Sequence, residues 1–190
     1  MTCIEIRGLL LCALMTLETV AQAQMTNPPP SKPFASFKTF ELKMLEVASP
    51  KMDAKFNTDN DNVVGRLQSR ITTLIGPIVA EWNQHAVETA ENGLVITALV
   101  EDAQKVSPAR RMLSPFAGDS YALIKLRCVA DPSGEVVAEP EFYQKTSKWN
   151  GANWGGIQDY AMIDRVVKQS AEYLRANYAR AVGGPTGREK

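Results

Sequence analysis

The sequence is poor in the side chains that most often bind metals or form disulfides. It contains one histidine and three cysteines, and two of those cysteines, Cys3 and Cys12, lie close to the N-terminus. A structural zinc site takes about four Cys or His ligands, so the composition argues against one. The 21 basic and 21 acidic residues cancel, which leaves no general basic field for nucleic acid. We therefore predict no metal, no cofactor and no nucleic-acid partner.

Catalytic motifs are also scarce. The segment Gly118-Asp119-Ser120 matches the nucleophile block of the Gly-Asp-Ser-Leu esterases at three positions, but Tyr121 replaces the leucine and His85 lies upstream. Glu81, His85 and Glu88 would share one helix face, yet such a trio supplies only three weak metal ligands. We interpret that trio as a solvated polar face. The chain is predicted not to be an enzyme, and no catalytic residue is assigned.

The first 23 residues have the pattern of a secretory signal peptide. Arg7 precedes an apolar run at 8–17, and Ala21-Gln22-Ala23 is an Ala-x-Ala cleavage site. The run is too short to span a bilayer, which takes roughly 20 apolar residues. We expect cleavage near Ala23 and a periplasmic or secreted mature chain without a transmembrane segment.

Proline and glycine divide the mature chain. Residues 24–36 are Pro-rich and are predicted to form an extended, flexible leader. Residues 37–182 are predicted to form one domain, and Gly183-Gly184-Pro185 to begin a loose tail at 183–190. Cys128 is then the only cysteine left, and we predict that it is buried because it falls on the apolar face of a strand.

Strand and helix periods alternate along the domain. Strands are expected at 37–47, 94–101, 121–130 and 135–145, with Phe40, Leu42 and Met44 on one face of the first. Two apolar helical stripes separate and follow them: Val63, Leu67, Ile71, Leu74, Ile78 and Trp82, then Ile163, Val167, Ala171, Leu174 and Tyr178. The order β-α-β-β-β-α predicts an α+β fold, with two helices on one face of a mainly antiparallel sheet of about four strands.

Glycine and proline also predict local features of these elements. Gly76-Pro77 interrupts the first stripe, so we expect a kink, or a break with Pro77 in the first turn of a second helix. Asp131-Pro132-Ser133-Gly134 has the chemistry of a type I turn closing a hairpin. Pro140 cannot donate a ladder hydrogen bond, so its strand is predicted to lie at an edge or to carry a bulge.

Two connecting segments have the composition of an interaction surface. The first, at 107–120, carries Arg110 and Arg111 between two prolines and near Phe116, and arginine and aromatic residues are enriched at interfaces. The second, at 148–156, carries Trp149 and Trp154 among asparagines and glycines, and could stack sugars or a partner chain. The alternative for both is an ordinary connection whose apolar side chains fold back onto the core. We predict an interaction surface formed by Arg110, Arg111, Phe116, Trp149 and Trp154.

The first segment lies within, and the second runs into, two stretches, 94–142 and 154–178, that resemble a bacterial domain family of unknown function. The shared features are a Pro-Ala-Arg-Arg loop, a strand followed by Asp-x-x-Gly-Glu-Val, and a Gly-rich segment leading into the last helix. Members are exported proteins and outer-membrane lipoproteins, and the resemblance implies a compact α+β domain of the envelope accessory type. The family brings no agreed catalytic residues. This chain lacks its lipid-acceptor cysteine at the mature N-terminus.

The leading functional hypothesis is a non-enzymatic, exported accessory domain that binds another envelope protein. A carbohydrate or small-ligand module using the Trp-rich segment is the alternative. A hydrolase is a third hypothesis, and it would need His85.

Overall fold

Alternating apolar residues form strands, and apolar residues three and four apart form helices, in most of the chain that the structure describes. The computed structural model covers residues 26–48, 61–85, 92–104, 119–146 and 157–188. Its elements in chain order are β1 (Thr26–Asn27), a 3₁₀ turn (Phe34–Ser36), β2 (Thr39–Leu42), β3 (Glu46–Val47), α1 (Asp61–Leu74), α2 (Gly76–Gln84), β4 (Gly93–Gln104), β5 (Ser120–Asp131), β6 (Val136–Ala138), β7 (Glu141–Thr146), α3 (Ile157–Ala176) and β8 (Gly184–Pro185).

The main sheet has six strands in four side-by-side positions, which we call lanes, because each outer lane is shared by two short strands. Antiparallel β4 and β5 form the centre, β2 and β3 share the outer edge of β4, and β6 and β7 share the outer edge of β5. Both β2 and β3 run parallel to β4. The predicted α+β class is therefore confirmed, but the sheet has more strands than the expected four. The parallel pairing follows from α1 and α2, which cross over between β3 and β4.

There are extra strands because each outer lane of the sheet is divided in two, one at a proline and the other where the chain leaves the edge of β4. The outer lane on β5 divides at Glu139-Pro140, so Pro140 lies at an edge as predicted. The lane on β4 divides after Leu42, and Met44 is 76% exposed instead of sharing a buried face with Phe40. The hairpin after β5 closes through a hydrogen bond from the Gly134 N–H to the Ala130 carbonyl (2.8 Å). A type I turn would use the carbonyl of the first turn residue instead, so that turn prediction is wrong.

Helices cover one face of the sheet, and the hydrophobic core lies between that face and the helices. Ala122, Ile124, Leu126 and Cys128 of β5 have no exposed surface, which confirms the alternation read from the sequence and the burial of Cys128. The first helical pattern breaks as expected, with Pro77 in the first turn of α2. The break shifts the stripe, so Ile75 is fully buried while Leu74 is only partly buried.

Both chain ends differ from the sequence prediction, since the described parts of the leader and tail are packed. Phe34 has no exposed surface, and its ring lies 6.1 Å from that of Trp82. Strand β1 in the leader pairs with β8 in the tail. Asn177, fully buried at the end of α3, accepts hydrogen bonds from the Val182 and Gly183 N–H groups at 2.8 Å each. The aromatic ring and these polar anchors order segments that Pro and Gly alone would leave extended or loose.

Asparagine side chains cover parts of both outer edges of the sheet. On β7, the Asn27 amide donates to the Glu141 carbonyl and accepts from the Glu141 N–H, both at 2.8 Å. On β2, the Asn83 amide makes the same two contacts with Phe40, again at 2.8 Å. A side-chain amide carries the same donor and acceptor as a peptide group, so each asparagine replaces one residue of a neighbouring strand.

Candidate functional site

The residues predicted to form the interaction surface lie outside the described residues. Arg110, Arg111 and Phe116 belong to the stretch 105–118, and Trp149 and Trp154 to the stretch 147–156. The structure does describe the positions at which both stretches leave and re-enter the fold.

Both stretches are attached to one end of the sheet. The first joins Gln104, the last residue of β4, to the start of β5, and the second begins after Thr146, the last residue of β7. Gln104 pairs with Tyr121, and Thr146 pairs with Ser120. Neighbouring strands lie about 4.8 Å apart, so the three strand ends fall within about 10 Å. We call these four residues, Gln104, Ser120, Tyr121 and Thr146, the strand end.

The strand end is held by side-chain contacts. The Tyr121 hydroxyl donates to Asp102 Oδ2 at 2.6 Å, and its ring centroid lies 6.1 Å from that of Tyr143. Burial and the interaction with Asp102 raise the pKa of Tyr121 to about 12. Ser120 and Thr146 are buried, and the Thr146 hydroxyl lies 3.4 Å from the Ser120 carbonyl as its donor. Segments leaving this end therefore start from fixed positions.

A row of charges crosses the open face of the sheet, opposite the helices. Lys125 Nζ lies 3.4 Å from both Glu101 Oε1 and Glu141 Oε1, on the two neighbouring strands. Burial lowers the pKa of Lys125, but the two carboxylates more than offset this, so its pKa is raised. Arg127 Nε lies 3.4 Å from Glu139 Oε1. These groups are engaged with one another, which suits a solvated face better than acid–base chemistry.

The open face also holds a shallow trough of about 370 Å³. Its floor is formed by partly buried Val95, Thr97, Leu99 and Val129. Lys43 and Glu46 form one rim, and Arg127 and Asp131 are on the other side. The floor mixes aliphatic side chains with the Thr97 hydroxyl and both sides carry charges, so polar surface predominates in the trough.

Two further cavities lie elsewhere on the molecule. One, also about 370 Å³, lies beside β1 and is lined by Asn27, Glu139, Glu141 and Arg188 among others. The other, about 120 Å³, lies between α1 and α3, where the Arg66 guanidinium sits 3.7 Å from the Tyr160 ring centroid. Arg70 Nε pairs with Asp164 Oδ1 at 2.6 Å in the same place. In both cavities, charged side chains of the lining are already engaged in ion pairs or cation–π contacts within the chain.

The side chains considered for catalysis lie in unrelated surroundings. His85 is exposed at the C-terminal end of α2, and Glu81 Oε2 lies 3.7 Å from Arg175 Nη1, while Glu88 is outside the described residues. Ser120 is fully buried. Burial, followed by the charge of Glu139, raises the pKa of the Cys128 thiol to about 12. In the described ranges, no three His, Cys, Asp or Glu side chains are grouped so that they could hold a metal ion.

Within the five described stretches, no helix combines the length and hydrophobicity needed to cross a membrane.

Sequence reasoning missed the two asparagines that cover the sheet edges and the shape of the trough. Asn27 and Asn83 lie in different contexts, a Pro-rich leader and a helix, and an isolated asparagine has no periodicity to mark it. The trough depends on which strands become neighbours, and a single sequence does not specify that.

Comparisons with known proteins give no family assignment. No family model matches the chain, and no curated protein matches it. Solved structures that resemble it include a PelC dodecamer from Paraburkholderia phytofirmans, 13% identical, covering 75% of this chain and 92% of that one at a TM-score of 0.40. A minor lipoprotein from Acinetobacter baumannii is 11% identical, with coverage of 79% and 98% and a TM-score of 0.37. A putative lipoprotein from Caulobacter crescentus is 10% identical, with coverage of 75% and 88% and a TM-score of 0.34. Likeness at this level identifies no function.

Proposed function

We propose that this chain is an exported, non-enzymatic accessory domain that binds another protein of the bacterial envelope. The binding surface is built by the segments 105–118 and 147–156, through Arg110, Arg111, Phe116, Trp149 and Trp154. The observation that carries the proposal is the strand end, because it anchors both segments on hydrogen-bonded neighbouring strands. Two segments that are far apart in the sequence therefore leave the sheet from neighbouring strand ends.

Composition supports a protein partner for this region. Arginine and aromatic residues dominate the energetics of protein interfaces, since they combine large apolar area with directional polar groups. The strand end supplies a rigid base, which lowers the entropy lost when a partner binds. The export that the first 23 residues predict would place the partner in the envelope.

The test is a cross-linking pull-down of the mature chain from intact envelopes of its own host. Arg110→Glu/Arg111→Glu is compared with wild type and with the control Lys168→Glu/Arg180→Glu. The control makes the same change of charge at exposed positions, on α3 and just beyond its end. We expect a partner to be captured by wild type and the control, and lost from the Arg110/Arg111 variant with little change in its melting temperature.

Capture by all three proteins would place the interface elsewhere. A large loss of thermal stability in the Arg110/Arg111 variant would instead show that the two arginines are structural, which contradicts their proposed role.

A second candidate is binding of a glycan, and one observation favours it. The rings of Tyr121 and Tyr143 lie 6.1 Å apart at the same strand end that anchors the Trp-rich segment, and aromatic surfaces stack on sugars. Trp82 is only 5% exposed and stacks on Tyr178, so a ligand-induced fluorescence shift would report on Trp149 and Trp154. A shift with cell-wall glycans that Trp149→Ala removes would support this candidate.

A further inference from the structure

Residues 183–188, the described part of the tail, lie in a slot between β1, β7 and α3. The walls of this slot are held in place by contacts that do not involve the tail. Strand β7 pairs with β5 along its inner edge. The Tyr173 hydroxyl of α3 donates to the Pro28 carbonyl at 3.0 Å, and the Asn27 amide bonds to both backbone groups of Glu141. The slot is therefore preformed, which lowers the cost of binding a segment in it.

The tail is held in the slot through its backbone carbonyls. The Thr186 carbonyl accepts a hydrogen bond from the Tyr143 N–H at 2.8 Å. The Pro185 carbonyl accepts from the side-chain amides of Gln169 at 3.0 Å and of Asn27 at 3.3 Å. Strand β8 also pairs antiparallel with β1. An extended segment that binds a sheet edge through its main chain is a recurring mode of peptide recognition.

The shape of the slot selects particular residues of the segment. A Cβ at Gly183 would lie 2.5 Å from the Asn27 carbonyl oxygen, and a Cβ at Gly187 would collide with the Tyr143 carbonyl oxygen. Both glycines have positive φ, 75° and 76°, which other residues adopt only with strain. Thr186 between them is 6% exposed. The slot therefore accepts glycine at two positions and a small polar residue just before the second.

The tail can leave the slot more easily than the leader can leave the core. The leader inserts Phe34, which has no exposed surface, whereas in the described tail only Gly183 and Thr186 are buried. Arg188 adds one half-exposed ion pair with Glu141 at 3.6 Å, which stabilises little. Among the described residues, every member of the hydrophobic core precedes the tail. Opening of the tail thus exposes little apolar area and leaves the core intact.

We propose that this slot is a binding site for an extended peptide of the pattern Gly-x-x-Thr-Gly-Arg, and that the chain's own tail is an exchangeable ligand that keeps it closed. Another extended segment reaches the β7 edge only after the tail leaves. A short flexible tether gives the tail an effective concentration of about millimolar, so a free peptide competes poorly with it. The site uses only described residues and does not depend on the segments assigned to the envelope partner.

The test uses a mature chain that ends at Val182 and an N-acetylated peptide of residues 183–190 with a fluorescent label on Lys190. Fluorescence anisotropy measures binding of the peptide to the truncated chain and to the complete mature chain. We expect the truncated chain to bind, and the complete chain to bind at least about tenfold more weakly because its slot is filled. Hydrogen exchange should show the Tyr143 amide losing protection on truncation and regaining it with the peptide, since the Thr186 carbonyl is its partner.

Matched substitutions test the selectivity of the slot. The peptide with Gly187→Ala should bind about tenfold or more weakly, because of strain and the collision with β7. The peptide with Pro185→Ala changes an exposed ring and should bind within about fivefold of the original. In the truncated chain, Gln169→Ala should weaken binding about threefold to tenfold, whereas the neighbouring exposed Lys168→Ala should not weaken it.

Two results would overturn the proposal. One is a truncated chain that keeps its cooperative melting transition but does not bind the peptide at about 1 mM. The other is a complete chain that binds the peptide as tightly as the truncated chain, since its slot would then not be filled by the tail. If truncation prevents folding, the complete chain with Gly187→Ala takes its place, because the collision displaces the tail. That variant should bind the peptide more tightly than the unaltered chain, and equal binding would contradict the proposal.

Discussion

The side chains on the two faces of the sheet differ in how deeply they are buried. On the helical face, β5 alone buries four consecutive inward positions with no exposed surface, including Leu126 and Cys128. On the open face, Lys125 and Arg127 of the same strand carry charges that pair along the surface, and Leu123 and Val129 on either side of them remain partly exposed. The helical face therefore provides most of the buried apolar area, while the side chains of the open face keep contact with water.

This division follows from the alternation of the strands. A strand residue points to the face opposite its neighbours, so a single strand can serve a core and a surface independently. Substitutions on the helical face should therefore cost more folding stability than substitutions on the open face. The predictions below test that separation, beginning with the largest effect.

Leu126→Ala should destabilise the protein most. Leu126 is fully buried beneath the helices, and its truncation leaves a cavity that costs about 2–5 kcal/mol. Leu99→Ala, on the partly exposed trough floor, should cost about 1–2 kcal/mol, because less apolar area is lost from the folded state. Urea unfolding of both variants measures the difference. Equal losses would show that the open face is as tightly packed as the core.

Removing the asparagines that cover the two outer edges of the sheet should have an intermediate effect. Asn27→Ala leaves the Glu141 N–H and carbonyl without their side-chain partner at a site that is 6% exposed, and should cost about 1–3 kcal/mol. Asn83→Ala should cost less, roughly 1 kcal/mol, since Asn83 is exposed and water can replace it. Thermal or urea unfolding ranks the two. Gln84→Ala, next to Asn83 and also exposed, is the matched control.

The smallest effect should appear only at high pH. The pKa of Tyr121 is raised to about 12, so the folded state keeps a proton that the unfolded state loses from about pH 10. Stability should therefore fall between about pH 10 and 12, and Tyr121→Phe should make that decline shallower. Asp102→Asn keeps the phenol but removes the carboxylate charge, so its phenol should titrate at lower pH by ultraviolet absorbance. An unchanged titration would contradict the role given to Asp102.

Much of the fold was predictable because it depends on local periodicity. The alternation at Ala122, Ile124, Leu126 and Cys128 and the break at Pro77 were read correctly, since each reflects the geometry of one element. The parallel pairing of β2 with β4 was not predictable, because it depends on which distant segments become neighbours.

The chain ends show the same limit most clearly. A two-residue strand such as Thr26–Asn27 has no period, and its Pro-rich surroundings favour an extended leader. The signal that could have changed that interpretation is Phe34, because a large aromatic side chain in a polar leader gains most by entering a core.

For the candidate site, the sequence predicted the residue types, and the structure shows that the described residues flanking the two segments lie at one end of the sheet. No local pattern relates Gln104 to Thr146, which are brought together only through β5. Grouping the arginine and tryptophan segments into one surface therefore required the sheet order.

The most direct test of the proposed function is site-specific photo-cross-linking in intact envelopes of the host. A photoreactive side chain is placed at position 111, within the segment 105–118, and in a separate protein at position 168, exposed on α3. We predict that the first protein forms a discrete adduct with another envelope protein and that the second does not. An adduct formed only from position 168 would contradict the account, because the helical side would then be the docking surface.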